Sequence, residues 1–341
     1  MRAPGSRTSR LLTIAFAAGL AALVAAPGAT AAQPLAVKKA KVLGDAKPMP
    51  QASAAKKKGK RRVRATTETA GVPFAQGTAA GATAACGGKS HLTGGGFAVS
   101  PPLSPSGARS TSVVSFPTDS KRWTASSSAF TTPPASGTFT GYARCESNRL
   151  GKTIQLSLSG TVPPGQVTTA LLDCPGRTHV VGGGHAGTPP ASLSLADDAS
   201  LRTFIFESRR RNIRQWAVTA YTRNNSPVPA PFTGYVICER DGKGRNVTQE
   251  STLAAIVDNG RTAGDPRCGG KRHVVSGGWS VVDADPTIAP AALFDESHPV
   301  GRKGWHVGMW EHPDILLPAS STLESIAYCK KIPKGKRKKR K

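Results

Sequence analysis

One motif, met three times, constrains this chain more than any other feature. Each copy opens with a cysteine, a glycine turn, a basic residue and a histidine five positions on, then a glycine run, a later tryptophan and a closing cysteine. The copies read Cys86-Gly-Gly-Lys89-Ser-His91 with Gly94, Gly95 and Gly96; Cys174-Pro-Gly-Arg177-Thr-His179 with Gly182, Gly183 and Gly184; and Cys268-Gly-Gly-Lys271-Arg-His273 with Gly277 and Gly278. Trp123, Trp216 and Trp305 follow, and Cys145, Cys238 and Cys329 close the copies. A repeat of this period fixes architecture before any local reading does.

The copies start 88 and 94 residues apart, a length that suits one small domain each. Between the glycine, proline, asparagine and serine clusters lie short alternating runs: Ile154, Leu156 and Leu158; Trp216, Val218 and Ala220; Trp305, Val307 and Met309. Period-two alternation broken by turn residues predicts half-buried antiparallel strands. The expected fold is therefore all-β, with three tandem antiparallel β-sandwich or small-barrel repeats at 65–149, 150–242 and 243–331. A signal segment at 1–31, a disordered basic linker at 32–64 and a disordered basic tail at 332–341 complete the organisation.

Six cysteines, two per repeat, favour disulfides. Six thiols allow about 15 pairings, but repeat symmetry leaves two simple patterns. Pairing within copies joins Cys86 to Cys145, Cys174 to Cys238 and Cys268 to Cys329. Pairing across boundaries joins Cys145 to Cys174 and Cys238 to Cys268, and needs a closed ring for Cys86 to meet Cys329. The first pattern is preferred because it lets each unit close by itself, with a stabilisation of roughly 4 kcal/mol per bridge.

The N-terminus has the three parts of a secretory signal: Arg2, Arg7 and Arg10, an apolar run over 11–26, and the small residues Ala29-Thr30-Ala31. The run is shorter than the roughly 20 residues a spanning helix needs, and no second such stretch follows, so the mature chain is expected to be secreted without a transmembrane segment. The net charge of +26 suggests a nucleic-acid-binding protein until it is located. Of 46 Lys and Arg, three lie in the signal, 11 in 38–64 and nine in 330–341, leaving 23 against 19 acidic residues over 65–329. The charge belongs to the two ends. Lys56, Lys57, Lys58, Lys60, Arg61 and Arg62, with Lys336, Arg337, Lys338, Lys339, Arg340 and Lys341, form like-charge runs without apolar periodicity, the composition of an adhesive arm for a polyanion.

The second copy, Cys174-Pro-Gly-Arg-x-His-Val-Val-Gly-Gly-Gly, then Trp216 and Thr233-Gly-Tyr235-Val-Ile-Cys238, resembles a repeat of uncharacterised exported actinobacterial proteins that runs Cys-Pro-x-Gly, Gly-Gly-Gly-Phe, Gly-Trp and Tyr-Ala-x-Cys. The first copy fits through Gly94 to Phe97 and Tyr142-Ala-Arg-Cys145. The third departs, with Ser276 in place of the first glycine and Ile326 where Tyr142 and Tyr235 stand. The resemblance implies exported β-rich repeats and carries no reaction with it.

Candidate chemistry is sparse. The glycine triplets lack the strand-to-helix setting of a phosphate loop, so they are read as places where a backbone or a Trp ring packs closely. His91, His179 and His273 would form a three-imidazole zinc site if the repeats closed around a threefold axis; otherwise each is a strand histidine bonded to backbone. The third repeat is rich in His298, His306, Trp310, Glu311, His312 and Asp314, and Trp279 and Trp310 have no Trp counterparts, which marks them as a possible ligand surface for sugar. Arg209, Arg210, Arg211 and Arg214 read as a basic loop. No Gly-x-Ser-x-Gly or His-Glu-x-x-His is present, and no cofactor is implied. The expected function is thus non-catalytic: a secreted protein held to the cell wall or another extracellular polyanion, teichoic acid, acidic polysaccharide or DNA, by its basic ends. An extracellular hydrolase or carbohydrate-binding protein with its site in the third repeat is the alternative.

Overall fold

In a computed structural model the chain is all β, and among the described residues there is no helix. Those residues are 33–34, 41–42, 64–75, 79–100, 108–131, 136–147, 153–187, 203–222, 228–240, 247–258, 260–282, 292–311 and 320–331. The signal segment and the basic runs at 56–62 and 336–341 lie outside them, as do His312 and Asp314. No helix of the described residues is long and apolar enough to cross a membrane.

Two short strands, β1 (Gln33–Pro34) and β2 (Lys41–Val42), precede three sets of six. The first repeat forms β3 (Arg64–Ala75), β4 (Ala79–Ala85), β5 (His91–Ser100), β6 (Ala108–Pro117), β7 (Arg122–Thr131) and β8 (Ser136–Ser147). The second forms β9 (Thr153–Val162), β10 (Val167–Asp173), β11 (His179–Ala186), β12 (Phe204–Asn212), β13 (Gln215–Tyr221) and β14 (Ala230–Glu239). The third forms β15 (Val247–Ala255), β16 (Arg261–Gly264), β17 (Arg272–Val282), β18 (Ala292–Val300), β19 (Gly304–Glu311) and β20 (Thr322–Lys331).

Each repeat is a small sandwich. Its first, third and sixth strands make one layer; its second, fourth and fifth make the other. Each layer then continues into a neighbouring repeat, so the sheets run β1-β10-β13-β12-β17-β20-β15, β2-β9-β14-β11-β6-β7-β4 and β16-β19-β18-β5-β8-β3. The third strand of one repeat always joins the fourth strand of the one before it: β11 to β6, β17 to β12 and β5 to β18. The last of these links the first repeat to the third and closes a ring. The described residues of the three repeats accordingly form one compact unit with a hydrophobic core that runs through all of them. Because each sheet draws strands from two repeats, the repeats are not three separate bodies.

The cysteines pair within copies: Cys86–Cys145, Cys174–Cys238 and Cys268–Cys329, with Cα–Cα distances of 5.6, 5.6 and 5.5 Å. In every copy the first cysteine follows the second strand and the other lies on the sixth, so each bridge ties together the two sheets its repeat contributes to. Trp123, Trp216 and Trp305 fill the three sandwiches, each at most 1% exposed. Their Nε1 groups donate to the hydroxyls of Ser115, Ser208 and Ser297 at 3.1, 3.3 and 3.0 Å.

The glycine run has one task per position. At the second glycine a side chain would enter the indole: a Cβ on Gly95, Gly183 or Gly277 would lie 2.2, 2.5 or 2.1 Å from Trp123, Trp216 or Trp305. At the third, a Cβ on Gly96, Gly184 or Gly278 would lie 1.7, 2.1 or 2.6 Å from the carbonyl oxygen of Ser297, Ser115 or Ser208 in the adjoining repeat. The serine that holds a Trp in its own repeat therefore also fits against its neighbour's glycine.

Gly183→Ala should cost at least about 1–3 kcal/mol in urea-unfolding stability, the usual cost of overpacking a core. Gly87→Ala, at a turn position where an added Cβ meets nothing within 4 Å, should leave the midpoint nearly unchanged. Equal stability of the two variants would contradict the assigned packing.

Candidate functional site

Because the third strands of the three repeats meet inside the ring, equivalent residues stack in layers along a pseudo-threefold axis. A β-bulge recurs in all three strands, after Leu92, Val180 and Val274, and sets the register of the layers. In the middle layer stand Gly94, Gly182 and Ser276. A Cβ on Gly94 would lie 2.6 Å from that of Ser276, and one on Gly182 would lie 2.4 Å from the Thr93 carbonyl oxygen. Only one of the three positions has room for a side chain. The departure of Ser276 from the motif has this geometry as its setting, and Thr93 bridges the same place by donating to the Val275 and Arg144 carbonyls at 2.9 and 3.1 Å.

The layer at one pole is charged. His91 and His179 open β5 and β11 and His273 is the second residue of β17, and the ladders place them opposite Glu146, Glu239 and Lys330, each directly after a closing cysteine. All six are buried. The sequence presents this as three histidines; the structure shows three histidines with two glutamates and a lysine. His273 Nε2 is hydrogen-bonded to Glu146 Oε1. The Lys330 Nζ donates to Glu146 Oε2 and to both Glu239 carboxylate oxygens, each at 2.7 Å.

Burial opposes ionisation of Glu146, but the His273 hydrogen bond and the Lys330 ammonium outweigh it and hold the carboxyl down to about 2. Burial likewise works against the Lys330 charge, and the two glutamates outweigh it, raising the ammonium above its ordinary value. His91 is pushed down, chiefly by burial. The donor atoms of His91, Glu146 and Glu239 lie within 4.8 Å of one another, a spacing that suits a small cation. Lys330 already bonds both carboxylates, so the positive charge this pocket requires comes from the chain. The three histidines thus stand in a mixed cluster with two carboxylates and an ammonium, in which His273 is engaged by Glu146 and Lys330 does the work of a cation.

The layer on the far side of the bulge is aromatic. Phe97, His185 and Trp279 are equivalent positions, and Trp279 meets Phe97 and His185 edge-on at ring-centroid distances of 6.4 and 5.3 Å. His185 is fully enclosed, both its ring nitrogens lack a hydrogen-bond partner, and burial pushes its pKa down to about 3. Trp279 and Trp310 are 5% and 4% exposed, which corrects their reading as a ligand surface. Trp279 lacked a Trp counterpart because three different rings fill its layer. Trp310 packs with Phe204, Tyr221 and Leu293 and donates from Nε1 to Asp295 Oδ2 at 3.0 Å.

The third repeat does gather polar groups, on the sheet it shares with the first. His306 is held between Asp265 Oδ1 at 2.8 Å and Glu296 Oε2 at 2.7 Å, and His298 stacks on Tyr142 with ring centroids 4.8 Å apart. Glu296, His298 and His306 offer three potential ligand atoms within 4.8 Å. Arg261 lies 2.7 Å from the same Glu296 oxygen and 3.2 Å from Asp295 Oδ2. The hydrogen bond to Glu296 raises the His306 pKa against burial. With two cationic partners on one carboxylate, this is an ion-pair network rather than an open metal centre.

The arginines read as a basic loop lie instead on and just after β12, with partners. Arg209 bonds Glu207 at 2.7 Å and Glu324 at 2.5 Å, and Arg211 bonds Glu207 at 2.9 Å. Arg210 lies over the Tyr328 ring and donates to the Val247 carbonyl, and Arg214 donates to the Cys174 carbonyl.

Lys330→Met removes the axial cation and leaves two buried carboxylates facing each other, which should cost about 3–5 kcal/mol at neutral pH. The pH dependence should invert. In the native protein the depressed Glu146 pKa contributes stability that is present above its unfolded value and is lost as pH falls toward about 2. In the variant one carboxyl must take a proton, its folded pKa rises above the unfolded value, and stability improves as pH falls from 7 toward about 4. Thermal melts of both proteins across this range check the sign; parallel curves would contradict the assignment.

No protein-family model matches this chain, and no curated protein matches it.

Proposed function

We propose that this chain is a non-catalytic, exported protein that attaches to an extracellular polyanion through the lysine- and arginine-rich segments flanking a rigid three-repeat body. The observation that carries the reading is where those segments join the body. Arg64, the first residue of β3, pairs with Ser147 at the end of β8, and Lys331, the last of β20, pairs with Arg272 at the start of β17. Both junctions lie at the pole of the axial histidines. Two cationic segments rooted at one pole engage a single polymer together, and the second contact is strengthened by the local concentration the first creates. The three disulfides suit an oxidising, extracellular setting, which fits the signal-like N-terminus. Among the described residues the body supplies no competing reading of equal weight, because Trp279 and Trp310, which would stack on sugar, are buried and Glu296 is engaged with His306 and Arg261.

Affinity from such segments is driven by counterion release and should fall steeply with salt. Replacing Lys56, Lys57, Lys58, Lys60, Arg61, Arg62, Lys336, Arg337, Lys338, Lys339, Arg340 and Lys341 by Gln in the full chain should reduce co-sedimentation with purified Gram-positive cell walls at least tenfold at low salt. The native chain should lose roughly a thousandfold or more in affinity between about 50 and 200 mM salt. Native-like binding by the substituted chain would overturn the proposal.

A further inference from the structure

The same pole carries fixed charge of its own. The turn between the second and third strands places Lys89, Arg177 and Lys271 at the same position in each repeat. Each follows a glycine in the left-handed region: Gly88, Gly176 and Gly270 have φ of 55°, 56° and 56°. The turn between the fourth and fifth strands carries Lys121, Arg214 and Lys303, again in equivalent places. Their carbonyls accept the amide hydrogens of Cys86, Cys174 and Cys268 at 2.8, 2.7 and 2.8 Å, which fixes one turn against the other beside the disulfide.

All six side chains are exposed, and among the described residues none forms an ion pair. The side chains of Lys121 and Arg214 donate only to the carbonyls of Gly88 and Cys174. The acidic residues nearby are otherwise engaged: Asp119 with Arg122, Asp265 with His306, and Asp173 with Gln215. Basic character at these two positions recurs in all three repeats, whereas the axial positions just beneath have diverged to Glu146, Glu239 and Lys330.

We infer that these six residues form a crown on the folded body that binds the backbone of a linear phosphodiester polymer. This inference rests on the polyanion reading above and extends the contact from the flanking segments to the body. Lysine and arginine recognise phosphate by charge and by fork-shaped hydrogen bonding. The crown positions include no aromatic residue on which a base or sugar could stack, so the contact reads backbone rather than sequence. Three equivalent pairs around one axis let a strand cross the pole in any of three directions.

The test uses the full chain with Lys89, Lys121, Arg177, Arg214, Lys271 and Lys303 replaced by Gln, and fluorescence anisotropy with labelled duplex DNA and labelled poly(glycerol phosphate) over a salt series. Since the six side chains lie outside the core, near-ultraviolet circular dichroism should match the native protein. A chain altered only at Lys89 and Lys121 gives a graded control. The expected result is binding at least tenfold weaker at low salt, with the slope of log affinity against log salt shallower by about 3–5. The paired variant should show a smaller loss. A loss confined to DNA identifies nucleic acid as the polymer, one confined to poly(glycerol phosphate) identifies a wall polymer, and either supports the crown. Native affinity and slope in the six-site variant, with binding lost only when the flanking segments are neutralised, would overturn the crown and leave the flanking-segment reading standing. Failure of the native chain to bind either polymer would overturn both.

Discussion

Three strands brought side by side along one axis leave almost no room between their backbones, and most of the molecule's particular features follow from that crowding. Gly94 and Gly182 cannot carry a Cβ there, and Ser276 takes the one place that admits a side chain. The same approach forces the next two glycines of the motif to accommodate an indole on one side and a neighbouring strand on the other. The glycine run is thus the joint at which three sandwiches become a ring, and the two layers flanking it inherit whatever the axis encloses: a charged cluster at one end and three rings at the other.

The charged cluster shows how internal symmetry is kept in architecture and abandoned in chemistry. Three glutamates at the positions of Glu146, Glu239 and Lys330 would repel one another in a buried site, where unpaired charge is costly. Lysine at the third position resolves the problem from within the chain, because one ammonium reaches both remaining carboxylates. Such pairs contribute less to stability than their short distances suggest, since both charges are desolvated, but losing one partner is expensive. The axial cluster therefore acts mainly as a constraint on register, tying the first and second repeats to the third.

Much of this was legible in the sequence. The repeat period, the alternation around Trp216 and Trp305, the cysteine pairing and the reading of the glycines as close-approach sites all rest on local patterns with a direct physical meaning. The ring was not legible, because the joining ladders register only one or two residue pairs each, such as Ser297 with Phe97, and short ladders leave no periodic signal. For the same reason Glu146, Glu239 and Lys330 were not linked to the histidines, although each stands directly after a closing cysteine, the one signal that aligned them. Trp279 and Trp310 were misplaced because comparison among repeats detects a difference in residue type but not the shared position of Phe97, His185 and Trp279. The crown residues Lys89, Arg177 and Lys271 belonged to the motif from the start, and only the fold places them beside Lys121, Arg214 and Lys303.

Closure of the ring is the central claim, and scanning calorimetry of the native, disulfide-intact chain tests it most directly. If the repeats share their sheets and axis, opening one strips partners from the buried charges of the others, and the body should unfold in a single transition whose calorimetric and van't Hoff enthalpies agree. Two or three separable transitions, each with the enthalpy of a domain of about 90 residues, would mean that the repeats are independent beads and would contradict the account.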